Sequence, residues 1–76
     1  SGIVSKGIIR KNDIYYFGPN KLGNFKYVEV ETIHCKKQEV DIAYEGQFSS
    51  LSLTGEQYDP TEVSKGMCLI STNTGF

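Results

Sequence analysis

The chain has 76 residues, enough for one domain, with 38% hydrophobic and 22% charged residues. This composition excludes a disordered polyelectrolyte, and the net charge of −1 gives no overall basic footprint for nucleic acid. No apolar run approaches the roughly 18 residues that cross a bilayer. We therefore expect a single cytoplasmic domain, residues 1–76, with no membrane contact.

The first third of the chain is typical of short strands separated by turns. Ser5-Lys6-Gly7 is a predicted tight turn, equivalent to a later one at Ser64-Lys65-Gly66, because glycine tolerates a positive φ. A strand is predicted from Asp13 to Gly18. Pro19 ends it, since proline has no backbone N–H for a sheet ladder.

A long strand is predicted from Phe25 to about Cys35. Val28 and Val30 share one face of it with a period of two. Ile33 breaks this alternation, so we expect a β-bulge near Thr32.

The second half of the chain continues in the same way. Gln38–Tyr44 and Gln47–Thr54 are predicted to be extended, and Asp59 with Pro60 signals a single helical turn that Gly66 ends. Met67–Ser71 is the last predicted strand. Short, regularly spaced strands predict an all-β fold, and closure into a small antiparallel β-barrel would remove exposed edges.

The thiols and the aromatic residues have mainly structural interpretations. Cys68 lies in an apolar run, where a reduced thiol packs as a small hydrophobic residue, and a disulfide with Cys35 is not expected. Most of the nine aromatic residues are expected to fill the core. Among those that do not, Tyr16 and Tyr27 are the first that we expect to be exposed.

Catalytic signatures are missing from the sequence. There is no phosphate-binding P-loop motif, and Asn20-Lys21-Leu22-Gly23 lacks the carboxylate of a guanine-reading motif. His34 and Cys35 are neighbours on a strand and point to opposite faces, so they do not share a metal or a proton. Glu29 and Glu31 are expected on an exposed strand face rather than in a cleft. We therefore expect no catalysis, no metal site and no cofactor in this domain.

Several segments resemble the second domain of translational GTPases, which includes that of elongation factor Tu. The matching segments are Ser1–Asp13, Ile14–Pro19, Val30–His34, Gly46-Gln47 and Val63–Met67, in the order of that family. Within the family, Gly18–Phe25 together with Ile33-His34 is similar to the eukaryotic branch of GTP-binding proteins one and two.

The resemblance implies a closed β-barrel of the elongation-factor second-domain type, taken from a larger GTPase. GTP and magnesium would then belong to an upstream domain, and the partners would be that GTPase domain and the following barrel. The chain is expected to start within the first strand of the domain, which leaves an edge open to strand-mediated self-association.

The resemblance also implies a binding site for the acceptor end of aminoacyl-tRNA. The corresponding residues are Glu31, Ile33, His34, Gly46, Gln47 and Phe48. Phe48 departs from the polar residue common there, and it would either stack on a terminal adenine or fill the core.

Three other functions stay open at this stage. The chain would bind a protein partner through its aromatic residues, bind RNA independently with a steep salt dependence, or act as a small enzyme. Of these, a small enzyme is the least compatible with the sequence.

Overall fold

The computed structural model describes residues 2–4, 6–64 and 66–72. This part of the chain forms the strands β1 (Gly2–Ile3), β2 (Ile8–Arg10), β3 (Ile14–Gly18), β4 (Lys26–Cys35), β5 (Gln38–Val40), β6 (Ile42–Tyr44), β7 (Phe48–Thr54) and β8 (Cys68–Ser71). A single 3₁₀ turn, Pro60–Glu62, precedes β8. The all-β prediction is confirmed.

The strands pair into two antiparallel sheets. The larger sheet has the order β1-β7-β4-β3-β8, with β5 paired to the end of β4, and β2 pairs with β6 in a separate ribbon. Among the described residues neither sheet closes on itself, because β1 and β8 are the outer strands of the larger one. The predicted closure into a barrel is therefore not found. Closure depends on which distant strands pair, and the alternation of side chains within a strand does not determine that.

The core forms along β4, where the predicted bulge is confirmed. Val28 is 1% exposed, and Val30 and Ile33 are both 0% exposed. The pairing of β4 with β7 shifts register between Val30 and Thr32. Without this extra residue, the period of two would place Ile33 on the outer face of the sheet.

The segment after β7 also follows its sequence signals. Asp59 caps the 3₁₀ turn, and its carboxylate accepts hydrogen bonds from the Thr61 backbone N–H at 2.9 Å and the Thr61 hydroxyl at 2.7 Å. The hydrogen bond from the Thr61 hydroxyl, followed by the one from the Thr61 backbone N–H, holds the pKa of Asp59 below its ordinary value. Pro60 opens the turn, where a missing N–H has no cost.

The two cysteines have different surroundings, and both are free thiols. Cys35 is half-buried against the core, whereas Cys68 is exposed. The prediction that Cys68 packs as a small hydrophobic residue is wrong. β8 is an outer strand, and Leu69 is the residue of β8 that packs against the core.

The two turn glycines adopt the predicted conformation. Gly7 has a φ of +75° and Gly66 a φ of +89°. Ser5 and Lys65, which belong to the same predicted turns, lie outside the described residues.

Candidate functional site

The end of β4 and the start of β7 bring several candidate residues together. His34 lies opposite Ser50 on β7 and opposite Glu39 on β5. Phe48 is two residues from Ser50, which makes it a diagonal neighbour of His34 on the same sheet face. Both side chains are exposed on the outer face, the face opposite the core.

The exposure of Phe48 excludes one of its two predicted roles. Its side chain is 63% exposed, so it does not fill the core. Ser49, the next residue of β7, is buried at 4% exposure, and its hydroxyl lies 3.1 Å from the Cys35 Sγ. This inward contact of β7 turns Phe48 to the outside.

Gly46 and Gln47 lie in the turn between β6 and β7, and their polar groups form hydrogen bonds with Val4 and Tyr44. The Gly46 N–H donates to the Val4 carbonyl, and the Val4 N–H donates to the Gln47 carbonyl at 3.0 Å. The Gln47 Oε1 accepts from the Tyr44 N–H at 2.8 Å. A φ of +87° at Gly46 favours glycine there. These two residues therefore shape the surface that Phe48 occupies.

The remaining two candidates are placed differently. Glu31 is exposed at the bulge of β4, three residues before His34. Ile33 is completely buried, so its side chain supports β4 from the core and does not reach the outer face. The structure thus joins His34, Gly46, Gln47 and Phe48 at one end of the sheet and leaves these two apart.

Two lysines at this end were missed from the sequence. Cys35 pairs with Gln38, so Lys36 and Lys37 alone form the loop between β4 and β5. Their φ angles are +52° and +67°, the geometry of a type I′ turn that normally selects Asn-Gly. The signal that would have found them is the two-residue gap between the extended segments. We call His34, Lys36, Lys37, Gln47 and Phe48 the hairpin end.

Two acidic side chains near the hairpin end, Glu39 and Glu45, have partners of their own. The carboxylate of Glu39 lies 3.2 Å from the Lys11 Nζ. The carboxylate of Glu45 accepts a hydrogen bond from the Gly7 N–H at 2.8 Å. Lys36 and Lys37 are exposed and form no ion pair with a described residue. The loop after β4 therefore adds two positive charges that are not neutralised by a described ion pair.

Tyr16 and Tyr27 form a second surface feature at the opposite end of β4. They are directly opposed on β3 and β4, with ring centroids 4.6 Å apart and hydroxyl oxygens 2.8 Å apart. This hydrogen bond, followed by the electrostatic effect of Tyr27, raises the pKa of Tyr16 above its ordinary value of 10.0. Tyr27 is 57% exposed and Tyr16 is half-buried, so the predicted exposure is confirmed for Tyr27 and only in part for Tyr16.

The described residues contain neither a metal-binding cluster nor a membrane-spanning helix. No three His, Cys, Asp or Glu side chains among them are placed to hold a metal ion. Residues 2–4, 6–64 and 66–72 also contain no helix that is long and apolar enough to cross a membrane.

Comparison with known proteins connects the chain to a GTP-binding protein. It is 35% identical over 71 residues to GTP-binding protein 1 of Xenopus laevis, and the match covers 93% of the chain. The chain spans 11% of the length of that relative. No protein-family model and no solved structure matches it.

Proposed function

We propose that the chain is a non-catalytic β domain of a cytoplasmic, translational-type GTP-binding protein, related to the second domain of elongation factors. The order of the matching sequence segments supports this, as does the similarity to GTP-binding protein 1 over 93% of the chain. In such a protein, another domain would hold GTP and magnesium and hydrolyse the nucleotide. This domain would contact that GTPase domain and the barrel that follows.

We further propose that the hairpin end holds the acceptor end of an aminoacyl-tRNA. The observation that carries this proposal is an exposed Phe48 ring diagonal to His34 on the outer face, at the end of β4 from which the Lys36-Lys37 loop leads. An exposed aromatic ring stacks on a base without regard to its identity. Lysine ammonium groups contact phosphates and release counterions from them.

The proposed roles within this site rest on the exposure and position of each side chain. Phe48 would stack on the terminal adenine, with His34 beside it, and Lys36 and Lys37 would contact the last phosphates. Gln47, whose amide oxygen is already bonded to the Tyr44 N–H, would keep the turn under Phe48 in place. None of these steps requires the chain to make or break a covalent bond.

The test is a titration of the 76-residue chain with aminoacylated and deacylated tRNA at several salt concentrations. Phe48→Ala is expected to weaken binding about 5-fold to 150-fold, because stacking on one base is worth about 1–3 kcal/mol. Lys36→Gln with Lys37→Gln is expected to reduce the slope of log K against log salt by about 1.4, or 0.7 for each phosphate contact.

Matched controls lie in the loop between β3 and β4. Leu22→Ala removes an apolar side chain that is 83% exposed, and Lys21→Gln removes an exposed charge, both away from the hairpin end. Neither should change tRNA binding. Equal effects of Phe48→Ala and Leu22→Ala would contradict the proposed site. Equal affinity for aminoacylated and deacylated tRNA would mean that the site binds the adenine and phosphates without reading the amino acid.

A further inference from the structure

A continuous apolar and aromatic patch lies on the outer face of β8, β3 and β4. Tyr16 is directly opposite Tyr27 on one side and Ile70 on the other, and Ile14 precedes Tyr16 by two residues on the same face. Tyr27, Ile70 and Ile14 are 57%, 48% and 43% exposed. We call these four residues the aromatic face. It is separate from the hairpin end and has no part in the proposed tRNA site.

A shallow groove runs beside the aromatic face. Its lining includes Ile14, Tyr27, Glu29, Thr54, Gly55 and Glu56. Glu29 lies opposite both Ile14 and Thr54, which places its side chain on the same face as Tyr27. A Cβ at Gly55 would lie 2.8 Å from the Tyr27 carbonyl oxygen, so this part of the groove requires the close approach of two backbones.

The charge of the groove selects the class of ligand. Among the described residues that line it, Glu29 and Glu56 are charged and none is basic. Neither carboxylate forms an ion pair with a described residue. The nearest lysine along β4, Lys26, is on the other face, and its Nζ lies 3.5 Å from the Glu62 Oε1. A phosphate would be repelled here, whereas a cation would gain from two carboxylates and an aromatic ring.

From this arrangement we propose that the aromatic face and its groove dock a separate protein through an extended segment, in which an arginine is flanked by aliphatic residues. The guanidinium group enters the groove beside the Tyr27 ring and faces Glu29 and Glu56. The aliphatic neighbours pack on Ile14 and Ile70. Arginine is favoured over lysine because its planar, weakly hydrated group stacks on aromatic rings and forms paired hydrogen bonds with carboxylates.

The test is a ¹H–¹⁵N NMR titration of the 76-residue chain with the capped peptide acetyl-Leu-Val-Arg-Val-Leu-amide. Amide shifts are expected at Tyr16, Tyr27, Glu29 and Gly55, and not at Phe48. Replacing the peptide arginine by lysine should weaken binding about threefold, and replacing it by glutamine about tenfold. Equal binding of the arginine and glutamine peptides would overturn the proposal.

Variants of the chain locate the effect. Glu29→Gln with Glu56→Gln should weaken the arginine peptide about tenfold and leave the glutamine peptide unchanged. Glu31→Gln is the matched control, because it removes an exposed carboxylate of the same strand outside the groove. Tyr27→Leu, checked for folding by circular dichroism, should weaken the arginine peptide about threefold.

Two other results would also overturn the proposal. One is a set of amide shifts that falls on the hairpin end rather than the groove. The other is tighter binding of a short uridine oligonucleotide than of the arginine peptide at Tyr16 and Tyr27. Neither result depends on whether tRNA binds at Phe48, so the two proposals fail independently.

Discussion

An aromatic residue lies on the outer face near each end of β4, Tyr27 on β4 itself and Phe48 on the neighbouring β7, and the charges around the two rings differ. Tyr27 is 57% exposed beside Glu29, and Phe48, at the other end, is 63% exposed beside Lys36 and Lys37. Tyr27 and His34 are seven positions apart, so about 23 Å separates the two surfaces at a rise of about 3.3 Å per residue. The outer face of the sheet thus presents two aromatic surfaces with different neighbouring charges, one near each end of β4.

This difference shows that aromatic content alone does not identify a ligand. An exposed ring accepts a nucleobase or a cationic side chain, and the neighbouring charges decide between them. The carboxylates at Tyr27 favour a basic protein segment, whereas the lysines near Phe48 favour a phosphate-bearing ligand. The net charge of −1 conceals this division, because it sums over both ends.

The largest expected effect distinguishes a residue that supports the hairpin end from the core, Ile33, from one that is proposed to contact the tRNA, Phe48. Ile33→Ala should lower the free energy of unfolding by about 2–5 kcal/mol, since it leaves a cavity under β4 at a completely buried position. Phe48→Ala should change stability by less than about 0.5 kcal/mol because the ring is exposed. Urea denaturation followed by circular dichroism measures both values. A stable Ile33→Ala variant with impaired tRNA binding would mean that Ile33 contacts the ligand directly.

The next effect is confined to the aromatic face. Gly55→Ala should destabilise the domain by about 1–3 kcal/mol, because the new methyl group meets the Tyr27 carbonyl oxygen at 2.8 Å and the Val28 Cα at 3.5 Å. Gly2→Ala is the control, since nothing lies within 4 Å of its Cβ position. Thermal unfolding checks the stability, and NMR spectra should show changes around Tyr27 but not Phe48. Equal unfolding temperatures for the two variants would contradict the close packing at Gly55.

Much of β4 could be predicted from sequence because its signals are local. The alternation of Val28 and Val30, and its interruption at Ile33, together specify one inward face and one bulge. The cap at Asp59 is equally local, since the residue bonds to Thr61 two positions later. Such features require no knowledge of the rest of the fold.

Long-range features could not be predicted in this way. The pairing of Tyr16 with both Tyr27 and Ile70 depends on the order of three strands, and so does the position of β8 at the edge of the sheet. That edge position explains the exposure of Cys68. The turn around Gly46 and Gln47 could be predicted from the sequence. The position of Lys36 in the loop at the hairpin end is visible only from the register of β4 with β5.

A smaller effect tests whether the hairpin end trades stability for binding. Lys36→Asn with Lys37→Gly should raise the free energy of unfolding by about 1 kcal/mol. Asparagine and glycine adopt the positive φ of these two positions at a lower cost than lysine does. The same change should weaken tRNA binding, since it removes both charges. Lys36→Gln with Lys37→Gln is the control that removes the charges and keeps the strained backbone. If both double variants bind tRNA as the original chain does, the lysines do not belong to the site.

The smallest expected effect concerns the tyrosine pair of the aromatic face. The Tyr27 hydroxyl raises the pKa of Tyr16, so folding is supported below the unfolded value of about 10 and loses this support as pH rises through the folded value. Tyr27→Phe removes the hydrogen bond while retaining the ring, and the pKa of Tyr16 should fall towards 10.0. NMR titration of the Tyr16 ring measures this shift, with Tyr44→Phe as a control that removes an exposed phenol elsewhere. Because the ring beside Glu29 remains, Tyr27→Phe should still bind the arginine peptide. If the Tyr16 titration is unchanged, the two hydroxyls do not form a hydrogen bond in solution. The Tyr16 and Tyr27 rings would then be less ordered than their centroid separation of 4.6 Å indicates.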